Sequence, residues 1–467
     1  MKYVSTRGED NKLKFEEVML NGLARDGGLY LPERFPVFSL DKIQSFIGKS
    51  YYEIAVEVFL PFVGTELNKE ELYFLAENSY SNFSNNKIAP LKQLNDNLHV
   101  LELFHGPTLA FKDYAMQFLS QILKRSLRKK NKRIVILGAT SGDTGSAALQ
   151  AFRGNELIDI FILFPKNRVS HVQQKQMTTI SENGAHAIAV DGNFDDCQFL
   201  VKSCFKDSDF REKVSLTSIN SINWARLMPQ IVYYFTSALE LDVFSNKIIF
   251  SVPTGNFGNV FSAWVAKKMG LPIEKLIIAS NQNDIINRFF TSGKMEKKKV
   301  IQSLSPSMDI EVSSNFERFL FHLFKNDPKM LKKTIENFEK NGNLEISKNK
   351  LDATKNSFVS FKVSDSETID EISDIYKEFK YLIDPHTAVG LTAAKKFYKK
   401  NISTENMKVI SLACAHPSKF PDAVEKATKV NPRLPSSLSN LLKLKENIYE
   451  LPNNLYELKQ FILKKMR

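Results

Sequence analysis

Short apolar runs alternate along much of this chain with longer segments in which apolar residues return every three or four positions. The runs at 98–103, 133–137, 158–164, 187–190 and 248–252 are rich in β-branched residues and bounded by polar or glycine-bearing segments, which predicts buried strands. A further strand is predicted at 408–412. Strands alternating with helical segments over 81–280 imply a mostly parallel sheet with helices on both faces, and ligands then bind beyond the carboxyl ends of the strands.

Ahead of that region the spacing is helical at 15–22, 43–47 and 52–59, with a tight turn at 25–32 leading into an extended piece. Beyond it, Met330, Leu331, Ile335 and Phe338 form the inward stripe of a predicted helix, and 296–299 reads as a solvated turn or helix end. Ser364 and Glu367 make a capping box that opens a helix running to 379. Leu441, Leu442, Leu444, Leu451 and Leu455, set among polar neighbours, predict helices wrapped on the core. No self-similar repeat or low-complexity tract breaks this order.

Composition narrows the class. A chain of 467 residues has room for two or three domains with a large core and needs no metal or disulfide to hold it. Its three cysteines, Cys197, Cys204 and Cys414, form no Cys-x-x-Cys pair, which suits a reducing cytoplasm and argues against a structural zinc site. The first residues lack the apolar centre of a leader, and no run approaches the roughly 18 apolar residues of a membrane span, so a soluble cytoplasmic protein is expected. The formal net charge is +12, but the lysines are spread among acids and no nucleic-acid-binding motif is present. The excess is read as a field that gathers phosphorylated small molecules.

Candidate chemistry centres on Lys112. The apolar residues Leu109 to Phe111 precede it and predict an amine surrounded by hydrocarbon, an environment that favours the neutral nucleophile suited to a Schiff base. The same residues also allow Lys112 to be a plain charge opening a helix beside Asp113. Two other stretches bear on that choice. A strand is followed by Thr140, Ser141, Gly142, Asp143 and Thr144 and then by a helix; a second strand is followed by Gly255, Asn256, Phe257, Gly258 and Asn259 and then by a helix. Each turn exposes unpaired N–H groups at the positive end of a helix and holds an anion, and neither matches the dinucleotide or Walker glycine pattern. A reactive lysine with one anion cradle for a cofactor phosphate and one for a substrate carboxylate is what a pyridoxal-phosphate enzyme acting on an amino acid needs.

Two further segments are open on residue chemistry alone. Asn220, Ser221 and Arg226 bring amide, hydroxyl and guanidinium donors together, as a phosphate cage would, while Ser221 or Asn223 would equally cap the helix that follows. His386 lies in a turn where it either approaches substrate or serves as a core hydrogen-bonder.

The stretches HGPTLAFKD at 105–113, TSGDTGSAA at 140–148, VDGNFDDCQ at 190–198, NSINWARLMPQ at 220–230, PTGNFGN at 253–259, DPHTAVG at 384–390 and AHPSKFPDAV at 415–424, with STRG at 5–8, resemble the threonine synthase family. The resemblance runs along nearly the whole chain. It implies the tryptophan synthase β-like fold type II of pyridoxal-phosphate enzymes: an α/β protein with two open, mostly parallel sheets flanked by helices. It also implies a division into a small helical N-terminal domain at 1–80, a catalytic region at 81–430 and a helical extension at 431–467. In the family, the residues matching Asn220, Ser221 and Arg226 take the departing substrate phosphate. A threonine or serine of the family stands where this chain has Cys414, facing the cofactor's pyridine nitrogen, and a thiol is a weaker partner than a hydroxyl.

The resemblance further implies loss of phosphate from O-phospho-L-homoserine and addition of water to give L-threonine, by a monomer or homodimer without metal, nucleic acid or membrane. Lys112 would carry the cofactor and then move the substrate protons, with Gly255 to Asn259 on the cofactor phosphate and Thr140 to Thr144 on the substrate carboxylate. The rival expectations are a dehydratase or phospho-lyase of the same fold, and a binding module that kept the fold without the chemistry.

Overall fold

The structure, a computed structural model, describes residues 1–8, 12–400 and 406–467. Among them, two open sheets carry the architecture. The larger has six strands in the order Phe358–Lys362, Ile273–Ser280, Lys247–Pro253, Met407–Ala413, Leu98–Glu102 and Leu91–Gln93, parallel except for the last pair. The smaller has five parallel strands in the order Tyr449–Pro452, Ala185–Asp191, Ile158–Pro165, Ile134–Ala139 and Leu216–Thr217. Helices cover both faces of each, because strands such as IDIFILFP at Ile158–Pro165 are buried along their whole length and need apolar cover on either side.

The six strands predicted from the sequence are all present, with ends within two residues of those expected. The helices at Phe15–Asn21 and Tyr51–Val63 and the capping box of Ser364 with Glu367 are also where the pattern placed them. Four expectations are corrected. Met330 is 41% exposed, so the inward stripe of Pro328–Asn341 is Leu331, Ile335 and Phe338 only. Glu296 ends a short strand, Lys294–Glu296, paired with Asn343–Glu345. Leu451 lies in a strand, Tyr449–Pro452, that adds to the edge of Ala185–Asp191. Leu442 and Leu444 are exposed and only a single 3-10 turn forms there, whereas Leu455–Lys465 is the helix that packs, through Leu458 and Ile462.

The first residues do not form a separate core. Trp224, fully buried at the start of the helix Trp224–Glu240, has its ring 6.0 Å from Tyr3 and 5.4 Å from Phe62, so the N-terminal segment and the sheet region share one apolar cluster. Polar bonds continue the join: Thr6 Oγ1 donates to Glu317 at 2.6 Å and Arg7 grips the same carboxylate with two nitrogens at 3.1 and 2.9 Å. Arg318, fully buried, donates to the carbonyls of Tyr30 and Ile222 and to Asn315.

Candidate active site

Strand Leu98–Glu102 delivers the chain to the loop that carries Lys112. That loop is fastened at three points. Phe111 N–H donates to the Cys414 carbonyl at 2.9 Å, and His416 N–H donates to the Leu109 carbonyl at 3.0 Å. Asp113 accepts from Thr108 N–H at 2.8 Å and from its hydroxyl at 2.7 Å. Burial pushes the Asp113 carboxyl up to about 6 against those bonds, and a Cβ on Gly106 would stand 2.5 Å from the Asp113 Cβ. Lys112 opens the helix Lys112–Lys130, and its amine points into the interior rather than to solvent.

The hydrocarbon surroundings expected for that amine are corrected. Lys112 Nζ lies 3.3 Å from Asp143 Oδ2 and 3.4 Å from Ser307 Oγ, with the Phe111 ring centroid 5.1 Å away. The side chain is 12% exposed. Polar groups from two distant segments face it, and Phe111 supplies an apolar flank.

Asp143 comes from the first glycine turn. Thr140 Oγ1 accepts from Gly142 N–H at 3.0 Å and Gly145 N–H at 2.8 Å, folding the turn at the end of Ile134–Ala139. Gly142, at φ +139°, passes where any Cβ would strike the Gln173 amide at 2.4 Å. The helix Asp143–Phe152 starts there, and the N–H groups of Asp143 and Thr144 meet no acceptor among the described residues. The Asp143 side chain is not itself an anion ligand. It turns inward onto Lys419 Nζ at 2.9 Å, Gln173 Nε2 at 2.9 Å and Lys112. Of this residue only the backbone N–H is open to an anion.

The second turn is built the same way at the end of Lys247–Pro253. The N–H groups of Asn256, Phe257, Gly258 and Asn259 meet no acceptor among the described residues, and the helix Gly258–Lys268 begins behind them. Phe257 holds φ +62°, unusual for a bulky residue, because its ring is locked among Phe290, Phe316, Phe319 and Phe358. Its contribution to a ligand is therefore confined to backbone. Asn259 Oδ1 accepts from Tyr233 at 2.5 Å and Tyr234 at 2.6 Å, while its Nδ2 is buried without a partner. Ser313, Ser314 and Asn315 brace the turn from outside, and Asn315 also reaches Ser221 at 3.4 Å.

The segment after Asn220 contains the helix cap and, beside it, a guanidinium with an open donor. Asn223 is the cap, accepting from Ala225 N–H at 3.0 Å. Arg226 is 4% exposed, donates from one nitrogen to the Ile219 carbonyl at 3.0 Å, and has its Nε buried without a partner. Burial pushes its guanidinium down to about 10, and no nearby carboxylate opposes that. Ser221 is half-buried beside Asn315, and Asn220 is exposed at the rim.

His386 is corrected from substrate ligand to scaffold. Its Nδ1 lies 2.7 Å from Asp384 and its Nε2 accepts from Ser307 N–H at 3.3 Å, so both ring nitrogens are engaged by the protein. It holds the 305–308 turn that presents Ser307 to Lys112. Cys414, buried at the end of Met407–Ala413, has its thiol pushed well up by burial and so keeps its proton as a donor. Sequence reasoning passed over Ser307, Lys419, Gln173 and the Tyr233–Tyr234 pair. The only signal for Lys419 was its place in AHPSKF, and for Ser307 its place in a segment without evident chemistry.

A phosphorylated aldehyde cofactor fits these residues. It requires a primary amine, several N–H donors for its phosphate and a neutral partner for its ring nitrogen, and Lys112, the open N–H groups at 256–259 with the orphaned Asn259 Nδ2, and the Cys414 thiol are of those kinds. The chain matches the family model "Threonine synthase N terminus" over residues 2–80, "Pyridoxal-phosphate dependent enzyme" over 84–414 and "Threonine synthase, C-terminal" over 387–462. It is 47% identical to threonine synthase of Pseudomonas aeruginosa over 96% of this chain and 94% of that one. It is 43% identical to threonine synthase of Schizosaccharomyces pombe, over 91% and 89%. The crystal structure of PLP-bound threonine synthase from Brucella melitensis superposes with a TM-score of 0.96 at 46% identity, covering all of both chains. That of threonine synthase from yeast gives 0.95 at 37% identity, covering 100% of this chain and 98% of that one.

Proposed function

This chain belongs to the threonine synthase family of pyridoxal-phosphate-dependent enzymes, and from that premise we propose how its own residues divide the work on O-phospho-L-homoserine. It is a carbon–oxygen lyase of the fold type II class with pyridoxal phosphate as cofactor, acting on a small molecule. In the proposed reaction the substrate loses phosphate, gains water and leaves as L-threonine.

Lys112 Nζ would hold the cofactor aldehyde. The N–H groups of Gly255 to Asn259, with Asn259 Nδ2, would hold the cofactor phosphate at the start of their helix, and Cys414 would stand by the ring nitrogen. When bound, the cofactor supplies the electron sink that makes the substrate α-proton acidic. The N–H groups of Asp143 and Thr144, with Thr140, Ser141 and Gly142, take the substrate carboxylate. Lys112 Nζ, released by the substrate amine, would be the base for the α-proton and, once it has given that proton up, for a β-proton as phosphate leaves the γ-carbon. Delivery of the β-proton to the γ-carbon, addition of water at the β-carbon and return of a proton to the α-carbon would complete threonine. Arg226, with Ser221 and Asn220, receives the phosphate.

A buried guanidinium with an unpaired Nε and no carboxylate at its side is what favours a phosphorylated substrate over an unphosphorylated hydroxy amino acid. The reconstituted protein given O-phosphohomoserine is expected to yield threonine and phosphate in equal amounts. If threonine is consumed to a 2-oxo acid instead, or phosphate is released without threonine, the dehydratase or phospho-lyase reading takes its place.

The proposed domain division is 1–80, 81–430 and 431–467, acting as monomer or homodimer. Three cysteines, all free and buried, support a reducing compartment such as the cytoplasm. Among the described residues no helix is long and apolar enough to cross a membrane.

A further inference from the structure

Asp143 is shared between two lysines, and the nearer one is not Lys112. Lys419 Nζ lies 2.9 Å from Asp143 Oδ1, whereas Lys112 Nζ lies 3.3 Å from Oδ2. Lys419 has no exposed surface and donates also to the Thr108 carbonyl at 2.7 Å. A carboxylate and a carbonyl only accept, so the place is built for an ammonium. Burial would push the Asp143 carboxyl up; Lys419 first, then Lys112 and His386, outweigh it and hold it well below the usual carboxylate range.

We propose that Lys419 is the resident counter-ion of Asp143, a positioning residue that keeps this carboxylate compensated while Lys112 leaves it to take up and release the cofactor aldehyde. The inference rests on Lys112 being the amine that takes the aldehyde. A buried carboxylate stripped of its cations is strongly unfavourable. Lys112 changes charge whenever it takes or releases the aldehyde and cannot be a constant partner, while Lys419, with shorter bonds and no solvent, can. Without Lys419, Asp143 would have Lys112 as its one adjacent lysine and would retain it as an ammonium, the form that does not attack a carbonyl.

Other charged or titratable groups face the pair from each element packed on it. They are Asp113 beside Lys112, His386 with Asp384, Cys414, and His416 ahead of Lys419. Asp113 and His416 also feel the Lys419 charge, so it is the removal of the Asp143 charge in the double variant that isolates the route to Lys112 through Asp143. The Thr108 carbonyl keeps a donor in Gln176 Nε2 at 3.0 Å, which limits collateral damage to the loop.

The test uses the full chain freed of cofactor, as wild type, Lys419→Met, Lys419→Arg and the double variant Asp143→Asn/Lys419→Met. Each is mixed with pyridoxal phosphate and reduced with borohydride, and the modified Lys112 peptide is quantified from neutral to alkaline pH. Lys419→Met is expected to trap about ten-fold more slowly near neutrality and to recover as pH rises. Lys419→Arg is expected to stay within about two-fold of wild type, and the double variant to regain most of the loss. Trapping by Lys419→Met at the wild-type rate and pH dependence overturns the proposal, as does a double variant as slow as the single one. If Lys419→Met does not fold, removing the Asp143 charge must restore folding, and failure of both variants overturns it equally. Trapping of a different lysine in the wild type would instead defeat the assignment of Lys112.

Discussion

The carbonyl oxygen of Ser307 stands 2.7 Å from the point a Cβ on Gly255 would occupy, and the hydroxyl of the same serine is 3.4 Å from Lys112 Nζ. The proposed phosphate cradle, the 305–308 turn and the lysine are therefore packed as one unit, with His386 holding the turn from behind.

Gly255→Ala tests that unit. The obstructing atom is backbone and cannot swing aside, so the turn must shift, at a cost of about 1–3 kcal/mol. Cofactor affinity, read by absorption titration, is expected to fall about ten-fold or more while the apo chain remains folded. Unchanged affinity would mean that the turn moves freely.

Lys112→Ala removes the amine proposed as both covalent anchor and base. The cofactor's visible absorption and the borohydride-trapped peptide are expected to vanish, with turnover lowered by about 10³-fold or more. Normal turnover in this variant would remove Lys112 from the mechanism.

For Arg226 the charge is buried without a carboxylate partner and with Nε unpaired, so Arg226→Leu is not expected to destabilise the fold. A charge-assisted contact to phosphate contributes about 1.5–3 kcal/mol, which predicts a fall in kcat/KM of about 10- to 100-fold and weaker inhibition by inorganic phosphate. Arg226→Lys recovers only part, since a lysine lacks the planar fork. Equal inhibition by phosphate in wild type and Arg226→Leu would refute the cage.

Acid stability carries two opposed contributions. Burial pushes His416 and His322 down to about 4 from their ordinary 6.5. The unfolded chain binds more protons in that window, so their contribution is complete above about 6.5 and is lost as pH falls toward 4. Asp113, raised to about 6, runs the other way: its contribution is full below about 4 and fades as pH rises through 6. His322→Phe keeps a ring against Trp264 and is expected to flatten the acid decline of the melting temperature, while Asp113→Asn is expected to remove the opposing slope. An unaltered profile in both variants would contradict these assignments.

Much of the framework was legible because strand and helix signals are local. A run such as KIIFSVP at Lys247–Pro253 or the capping box at Ser364 states its conformation within a few residues, and a glycine turn between strand and helix states where unpaired N–H groups gather. Tyr449–Pro452 was not legible: its four residues are alternately half-buried and exposed, and they are extended because Ala185–Asp191 offers an open edge. Met330 was misjudged because spacing alone does not locate the margin of a helix stripe.

The sequence by itself determined six of the sheet strands, both glycine turns between strand and helix and the lysine at the head of a helix, since each depends on backbone preferences of neighbouring residues. Only the tertiary structure decided what the side chains meet: Asp143 turned onto Lys419, Phe257 drawn into an aromatic cluster, His386 spent on Asp384 and Ser307, and Arg226 Nε left unpaired. Those outcomes depend on charge compensation and packing between segments far apart in the chain, and hydrogen bonds of about 3 Å form only after the fold has brought their partners together.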